Sequence, residues 1–490
     1  MNYIIGIDIG TSNIKAVVIT DGGKIIKEFE LAHELYSPLP GYSEQDPDEI
    51  VASVFSIINR SASIIPDINQ LKYISFSAAM HGLLALDEWG KPLTPFVTWA
   101  DNRAHEIAAD LKASAPGKKI YEHTGTPIHP MSPLCKIAWI KKEWPGIFQQ
   151  ATKFVSVKEY LFFKLFGQFV IDHSIASATG LFDITTLDWN GDALSFAGIT
   201  AGRLSKPVSV ATVFKNPCEP YRDQLTIPVD TGFIIGGSDG CLANLGSGAL
   251  YKNEAAITIG TSGAVRRVSS RMMHDELQRT FQYLLDERSF VIGGAINNGG
   301  IALKWFMENF YGEESDPENF DNILSQAEII PAGAEGLVFL PYVYGERSPV
   351  WDAEANGAFV GIRSHHTRAH FLRAVLEGIC FSLLQNLYIL EESGQPVDTI
   401  IASGGFTKSP FWLQLLSDIL NKKIMVNNSV DASALGAAFI GLKLMNVIHE
   451  WQEVKTFIPG GDLYLPAENL QEIYRHNYAV YAGLYDKLKG

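Results

Sequence analysis

An α/β fold assembled from two related halves is what this sequence predicts, and three observations carry it. Apolar, β-branched runs alternate along the chain with stretches of helical spacing. One strand–turn–strand unit occurs twice: "GIDIGTSNIK" from residue 6 and "AITIGTSGAV" from residue 256 share x-I-x-I-G-T-S, 250 residues apart. Glycine-bearing turns end four strand-like runs, at residues 10–12, 236–240, 260–263 and 404–405. Those are the places where an open α/β sheet presents free N–H groups to a ligand.

The elements follow in order. Ile4, Ile5, Ile7 and Ile9 are dense and β-branched, as in a strand covered on both faces. Asp8 interrupts that run, and a buried carboxylate is costly unless it is hydrogen-bonded or binds a cation. Two readings stand: Asp8 accepts hydrogen bonds from the Gly10-Thr11-Ser12 turn, or it holds a divalent metal while the turn cradles phosphate. Ile14 and Val17 to Ile19 form the next run, and Asp21-Gly22-Gly23 turns it into a third over 24–29. In the second copy Thr258 stands where the first has Asp8, which puts a metal on the first half's side.

Residues 70–87 read as two strands joined through Ser-Ala-Ala-Met-His-Gly. Residues 132–150 have helical spacing, with Ile137, Ile140 and Trp144 on one face and Pro145 as a breaker. Residues 231–249 read as a strand ending in Gly-Gly-Ser-Asp-Gly, then a helix that Asp239 can cap. A domain boundary after that helix divides the chain into 1–246 and 247–490. Residues 398–420 repeat the pattern of strand, Gly404-Gly405 and helix, and residues 432–445 form a small-residue helix suited to close packing.

Composition sets bounds. The chain has 490 residues, 47% hydrophobic and 19% charged, enough to build large cores. A formal charge of −15 argues against a nucleic-acid partner but not against an anionic substrate, because site charges are local. Cys135, Cys218, Cys241 and Cys380 lack metal-ligand spacing and read as buried thiols in a reducing cytosol. The start has no basic signal-peptide region, and the apolar stretch 434–448 is broken by Lys443 and too short for a bilayer. A cytoplasmic protein with no membrane partner is expected. No P-loop and no protein-kinase signature set is present.

Asp239 has a second reading beside the helix cap. It can be the general base for an attacking hydroxyl, as phosphoryl transfer requires.

Two long patterns carry a family resemblance: Met131-x-Pro133-x-x-Lys136-Ile137-x-Trp139-Ile140-x-Lys142-Glu143, and Gly357-x-Phe359-x-Gly361-Ile362 followed after seven residues by His370-Phe371-x-x-Ala374-Val375-Leu376-Glu377. With the Gly-Thr-Ser turns and Gly404-Gly405, they resemble the FGGY carbohydrate kinases of the actin/Hsp70 ATPase superfamily over roughly residues 3–450. The resemblance implies two ribonuclease-H-like domains with the active site in the cleft between them. It implies ATP and Mg²⁺ as cofactors, Asp8 with Asp239 at the metal, and Asp239 as catalytic base. Gly10, Thr11, Ser12 and Lys15 would meet the transferred phosphate, Gly260, Thr261 and Ser262 the ATP phosphates, and Gly404 and Gly405 the adenosine.

On the substrate side, Met80 and His81 resemble the Met-His pair that meets sugar in xylulokinases, and Trp99-Ala-Asp101-Asn-Arg103 occupies another substrate-contacting segment. "TGTPIHPMSPLCKIAWI", "SFSAAMHG" and "GGSDGCLANLGSGA" look like the gluconokinase branch. Xylulokinases tend to carry Gly-Gln-Met-His-Gly and Gly-Gly-Asp-Asn at the last two places. The expected substrate is then a small sugar acid, D-gluconate, with Arg103, His129, Lys136 and His81 as candidate carboxylate donors and Lys158 as a further site lysine. A kinase of xylulose or another neutral polyol is the alternative, and a non-enzymatic sugar sensor stands behind it. Dimers are common in this family.

Overall fold

The computed structural model describes all residues except 274, 313–318, 393, 428–430 and 490. Two mixed sheets organise them. The first contains β1 (Tyr3–Ile9), β2 (Asn13–Thr20), β3 (Ile25–Ala32), β4 (Leu71–Ala78), β5 (Val213–Phe214) and β6 (Gly232–Ser238), in the order β5-β6-β4-β1-β2-β3. The second contains β7 (Glu254–Ile259), β8 (Gly263–Ser269), β9 (Phe281–Asp286), β10 (Ser289–Ile296), β11 (Thr399–Ser403), β12 (Lys423–Val426) and β13 (Leu463–Tyr464), in the order β9-β10-β8-β7-β11-β12-β13.

The two orders share a kernel. β6-β4-β1-β2-β3 and β12-β11-β7-β8-β10 both join three antiparallel strands to two parallel ones. The repeated Gly-Thr-Ser unit is the hairpin at the centre of each. The second turn is one residue tighter, since Ile9 pairs with Ile14 but Ile259 pairs with Gly263.

All seven residues of β1 are buried, as expected of a strand covered on both faces. One face meets α1 (Pro47–Ala62), whose Ile50, Val54 and Ile57 join Ile5, Ile7 and Ile9 in one core. The other face is covered from the opposite half. The chain continues through α2 (Pro133–Glu143), α3 (Val157–Phe166), α4 (Asp239–Ser247), α5 (Gly300–Phe310), α6 (Arg368–Glu392), α7 (Pro410–Leu420) and α8 (Ala432–Leu444). The small-residue helix α8 lies against α4, β1 and β4, so a helix of the second half roofs the first sheet. Glycine makes this approach possible: a Cβ on Gly6 would lie 2.0 Å from the Ala434 carbonyl oxygen, one on Gly246 1.8 Å from that of Ala432, and one on Gly436 2.0 Å from that of Leu242.

Pro145 ends α2 as expected and opens a short helix, Pro145–Gln150, at a position where its missing N–H is harmless. Helix α6 is long and apolar enough to cross a membrane by composition, but 83% of its most apolar stretch is buried in the second half's core. Cys135, Cys241 and Cys380 are buried as expected, whereas Cys218 is exposed.

Candidate active site

Three carboxylates converge on the cleft. β1 carries Asp8 to it, and Ser77, its register partner on β4, donates to Asp8 Oδ1 at 2.6 Å. The second half has the matching pair, Thr258 and Ser403, with hydroxyls 2.9 Å apart. The internal repeat therefore extends to the residue level, with a carboxylate on one side only.

Asp239 is aimed by an irregularity in β6. Gly236 has φ of 68°, and a Cβ there would lie 1.7 Å from the Phe76 carbonyl oxygen, at the point where the register with β4 shifts. Ser238 then takes the cap position of α4, and Asp239 becomes its first residue, accepting from its neighbour Gly240 N–H at 2.7 Å. The reading of Asp239 as the helix cap is thus corrected.

The third carboxylate, Asp431, went unnoticed in the sequence. It caps α8 through Ala434 N–H at 2.9 Å, and its other oxygen accepts from Lys15 Nζ at 3.2 Å. The only local signal was an aspartate directly before a helix, a common capping pattern. That α8 crosses to the first sheet is a tertiary fact. Burial raises the Asp8 pKa well above the carboxylate range, and Asp431 and Asp239 add to it by repulsion. Burial also raises Asp239, against the opposing charge of Arg266. Such a cluster of hard oxygen donors suits a divalent cation.

Beside Asp239 opens a cavity of about 220 Å³, lined among others by Met80, His81, Trp99, Arg266, Tyr283 and Arg347. His81 adopts φ of 67°, an unusual backbone for a non-glycine residue. Its Nδ1–H donates to the Ala178 carbonyl at 2.7 Å, which leaves Nε2 as an acceptor 3.3 Å from the Tyr283 hydroxyl. Burial, reinforced by Lys136, pulls its pKa down to about 3, so the ring is neutral. Trp99 donates from Nε1 to the Thr11 hydroxyl at 3.0 Å and lies under the Arg347 guanidinium at 5.0 Å. Arg266 and Arg347 were missed by the sequence reading, since neither belongs to a motif it used.

Other expected donors are engaged elsewhere. Asp101 is fully buried, accepts from Ser43 N–H at 2.7 Å and pairs with Arg103 at 2.7 Å. Arg103 also pairs with Glu44 and stacks 3.8 Å from the Tyr42 ring centroid. Neither residue lines the cavity, and the pair braces the segment that carries Trp99. Lys136 is likewise a brace. Its Nζ donates to the carbonyls of His81, Thr98 and Met131 at 2.7, 2.6 and 2.8 Å, which uses all three donors of an ammonium. His129 is buried behind Trp351, 5.6 Å between ring centroids, and lines a different cavity. Lys158 pairs with Asp172 at 2.7 Å and donates to the Gly237 carbonyl at 2.8 Å, steadying the strand end before Asp239.

A second cavity, about 660 Å³, lies on the other side of the second Gly-Thr-Ser turn and includes Leu303, Met307, Gly405, Phe406 and Trp412. Gly260 borders both cavities. Gly404, with φ of 102° and room for no Cβ (2.4 Å from the Ile259 carbonyl oxygen), pins the Gly405 turn beside it. A phosphate chain running past Gly260 would join the two spaces. Gly10 and Ser12 lie in the opposing turn, where Ser12 is exposed and Gly10 N–H bonds to the Asn13 carbonyl at 3.1 Å.

Comparison with known proteins gives one family. Residues 3–246 match the N-terminal domain of the FGGY family of carbohydrate kinases, and residues 255–445 match its C-terminal domain. A gluconokinase of Bacillus subtilis (strain 168) is 40% identical over 490 residues, covering 99% of this chain and 95% of that protein. The crystal structure of gluconate kinase from Lactobacillus acidophilus superposes with TM-score 0.94 at 33% identity, covering 99% of this chain and 98% of that one. A ligand-bound xylulose kinase structure from the same organism gives 0.94 and 33% as well, covering 100% and 99%. Backbone similarity therefore does not separate the two substrates.

Proposed function

This chain belongs to the FGGY family of carbohydrate kinases, and from that membership we propose that it transfers the γ-phosphate of ATP to the terminal hydroxyl of D-gluconate, giving 6-phosphogluconate and ADP. The observation that carries the substrate is the composition of the cleft cavity: one carboxylate, Asp239, faces two guanidinium groups, Arg266 and Arg347. A neutral polyol needs no such charge, whereas a sugar acid does. The 40% identity to a gluconokinase supports the same choice.

In this reading Asp239 takes the proton from the attacking hydroxyl, and His81 Nε2 accepts from a hydroxyl of the sugar. Gly260, Thr261 and Ser262 hold the ATP phosphates, Gly404 and Gly405 lie by the adenosine, and Gly10, Thr11 and Ser12 face the transferred group. Asp8 and Asp239 would hold Mg²⁺, with Asp431 beside them, and the ion when bound would neutralise phosphate charge. Lys15, paired with Asp431, orients that carboxylate. Residues 1–246 would supply the base, the metal ligands and most of the sugar site, and residues 247–490 the nucleotide site, with Arg266 and Arg347 reaching the sugar from the second half.

ADP release measured in parallel with gluconate, xylulose, ribulose, glycerol and glycerate tests this. Strong preference for gluconate is expected. Preference for xylulose would transfer the same machinery to a neutral sugar and overturn the substrate assignment.

A further inference from the structure

Resting on the gluconate reading, we propose that Arg266 and Arg347 together receive the acceptor's carboxylate, and that Gly240 is the residue that makes room for them to do so. The two arginines reach one cavity from separate segments, β8 and the loop after the short strand Val338–Leu340. Each has a buried Nε–H without a partner. Buried donors are normally satisfied, so two orphans on side chains that line one cavity point to a missing acceptor.

Their remaining hydrogen bonds are few and go to uncharged groups. Arg347 Nη2 donates to the Ile296 carbonyl at 2.9 Å, and Arg266 Nη1 reaches the Thr258 hydroxyl only at 3.5 Å. Among the described residues neither forms a salt bridge within 4.0 Å. Glu346, next to Arg347 in sequence, is committed to the backbone N–H groups of Asn297 and Arg347 at 2.5 and 2.8 Å and to the Asn298 amide at 3.1 Å. The nearby cations Arg103, Lys136 and Lys158 are bound by groups of their own, as described above. The two guanidiniums repel each other and share one carboxylate, Asp239, so a second anion with two oxygens would meet a net positive pair.

Gly240 sets the space. A Cβ there would lie 2.8 Å from Met80 Cε and 3.4 Å from Arg266 Nε. A side chain after Asp239 would displace the end of Met80 and lie directly against the Arg266 guanidinium. The glycine thus couples the residue after the base to the arginine opposite it.

Steady-state kinetics of Arg266→Gln, Arg347→Gln and Gly240→Asn test the proposal, with D-gluconate as substrate and D-glucitol, its uncharged counterpart, as a competitive inhibitor. Each variant should raise the gluconate KM by about 30-fold or more, as expected for loss of a charged hydrogen bond, and move the glucitol Ki far less. Arg266→Lys should restore part of the loss. A fall in kcat with unchanged gluconate KM, or equal losses for gluconate and glucitol, would assign the arginines to phosphate or to packing and overturn the proposal. If an arginine variant does not fold, Gly240→Asn, which keeps both charges, decides by the same two constants. The wild-type assay stands apart from these outcomes: no turnover of gluconate there would sink the gluconate reading itself.

Discussion

Lys15 and Asp431 lie 416 residues apart in sequence, yet the lysine Nζ is 3.2 Å from the aspartate Oδ2. The pair ties the first half's central hairpin to the cap of a second-half helix. It also fixes the third member of the carboxylate cluster, since Asp431 reaches Asp8 only because α8 crosses to the first sheet.

If Asp431 completes a Mg²⁺ site, Asp431→Asn should raise the Mg²⁺ concentration needed for half-maximal activity by about tenfold, the scale expected when a ligand or its support is lost. The KM for the acceptor should stay within threefold, by the order of magnitude of an indirect effect. A titration of activity against Mg²⁺ decides it, and an unchanged midpoint would remove Asp431 from the metal site.

Asp239→Asn keeps the shape of the cavity and removes the proton acceptor. Nucleotide binding should persist, measured by calorimetry, while kcat falls by about 10³-fold or more. Near-normal turnover would mean that another group takes the proton.

Lys136→Met would leave three buried carbonyls, those of His81, Thr98 and Met131, without their donor. Loss of stability by about 3 kcal/mol or more is expected in urea unfolding. The acceptor KM should rise with it, because the same carbonyls set the His81 loop. Intact stability would show that water replaces the ammonium.

His81 is held neutral by burial, with its pKa near 3 instead of 6.5, and burial also lowers His129 well below the usual value. Between those limits each of these histidines binds more protons unfolded than folded, so its contribution to stability rises with pH across the window and is lost as pH falls below 6.5. At pH 5 His81 alone should account for about 2 kcal/mol. Burial raises Glu159 and Glu346 to about 7, and their contributions fall with pH over the same range, so the His81 share is read as a difference: the Tm of the wild type minus that of His81→Asn should rise from pH 5 to 7.5. An equal slope in the variant would shift the effect to other groups.

Much of this was legible beforehand, and the reasons are local. The Gly-Thr-Ser repeat, the buried Asp8, the Gly-Gly-Ser-Asp-Gly turn and the small-residue helix are short patterns whose physics is complete within a few residues. Arg103 and Lys136 were ambiguous for a physical reason. A cation in a motif looks the same whether it faces a ligand or braces a loop, and only the acceptors around it decide. Arg266, Arg347 and Asp431 escaped because each acquires its role from a partner hundreds of residues away. Gly240 was visible as a departure from Gly-Gly-Asp-Asn, but what fills the vacated space was not.

The crossing of α4 and α8 bears on how the chain can be divided. Gly246 and Gly436 let the two backbones touch with no side chain between them, and α8 supplies the cover for Ile4 and Val17 of the first sheet. A fragment ending at residue 250 would carry β1 with one face stripped to solvent, and the complementary fragment would present α8 with nothing beneath it. The halves that the sequence repeat suggests as separate units are therefore mutually obligate. Expressed as two polypeptides they should be recovered only when co-produced, and then as one particle.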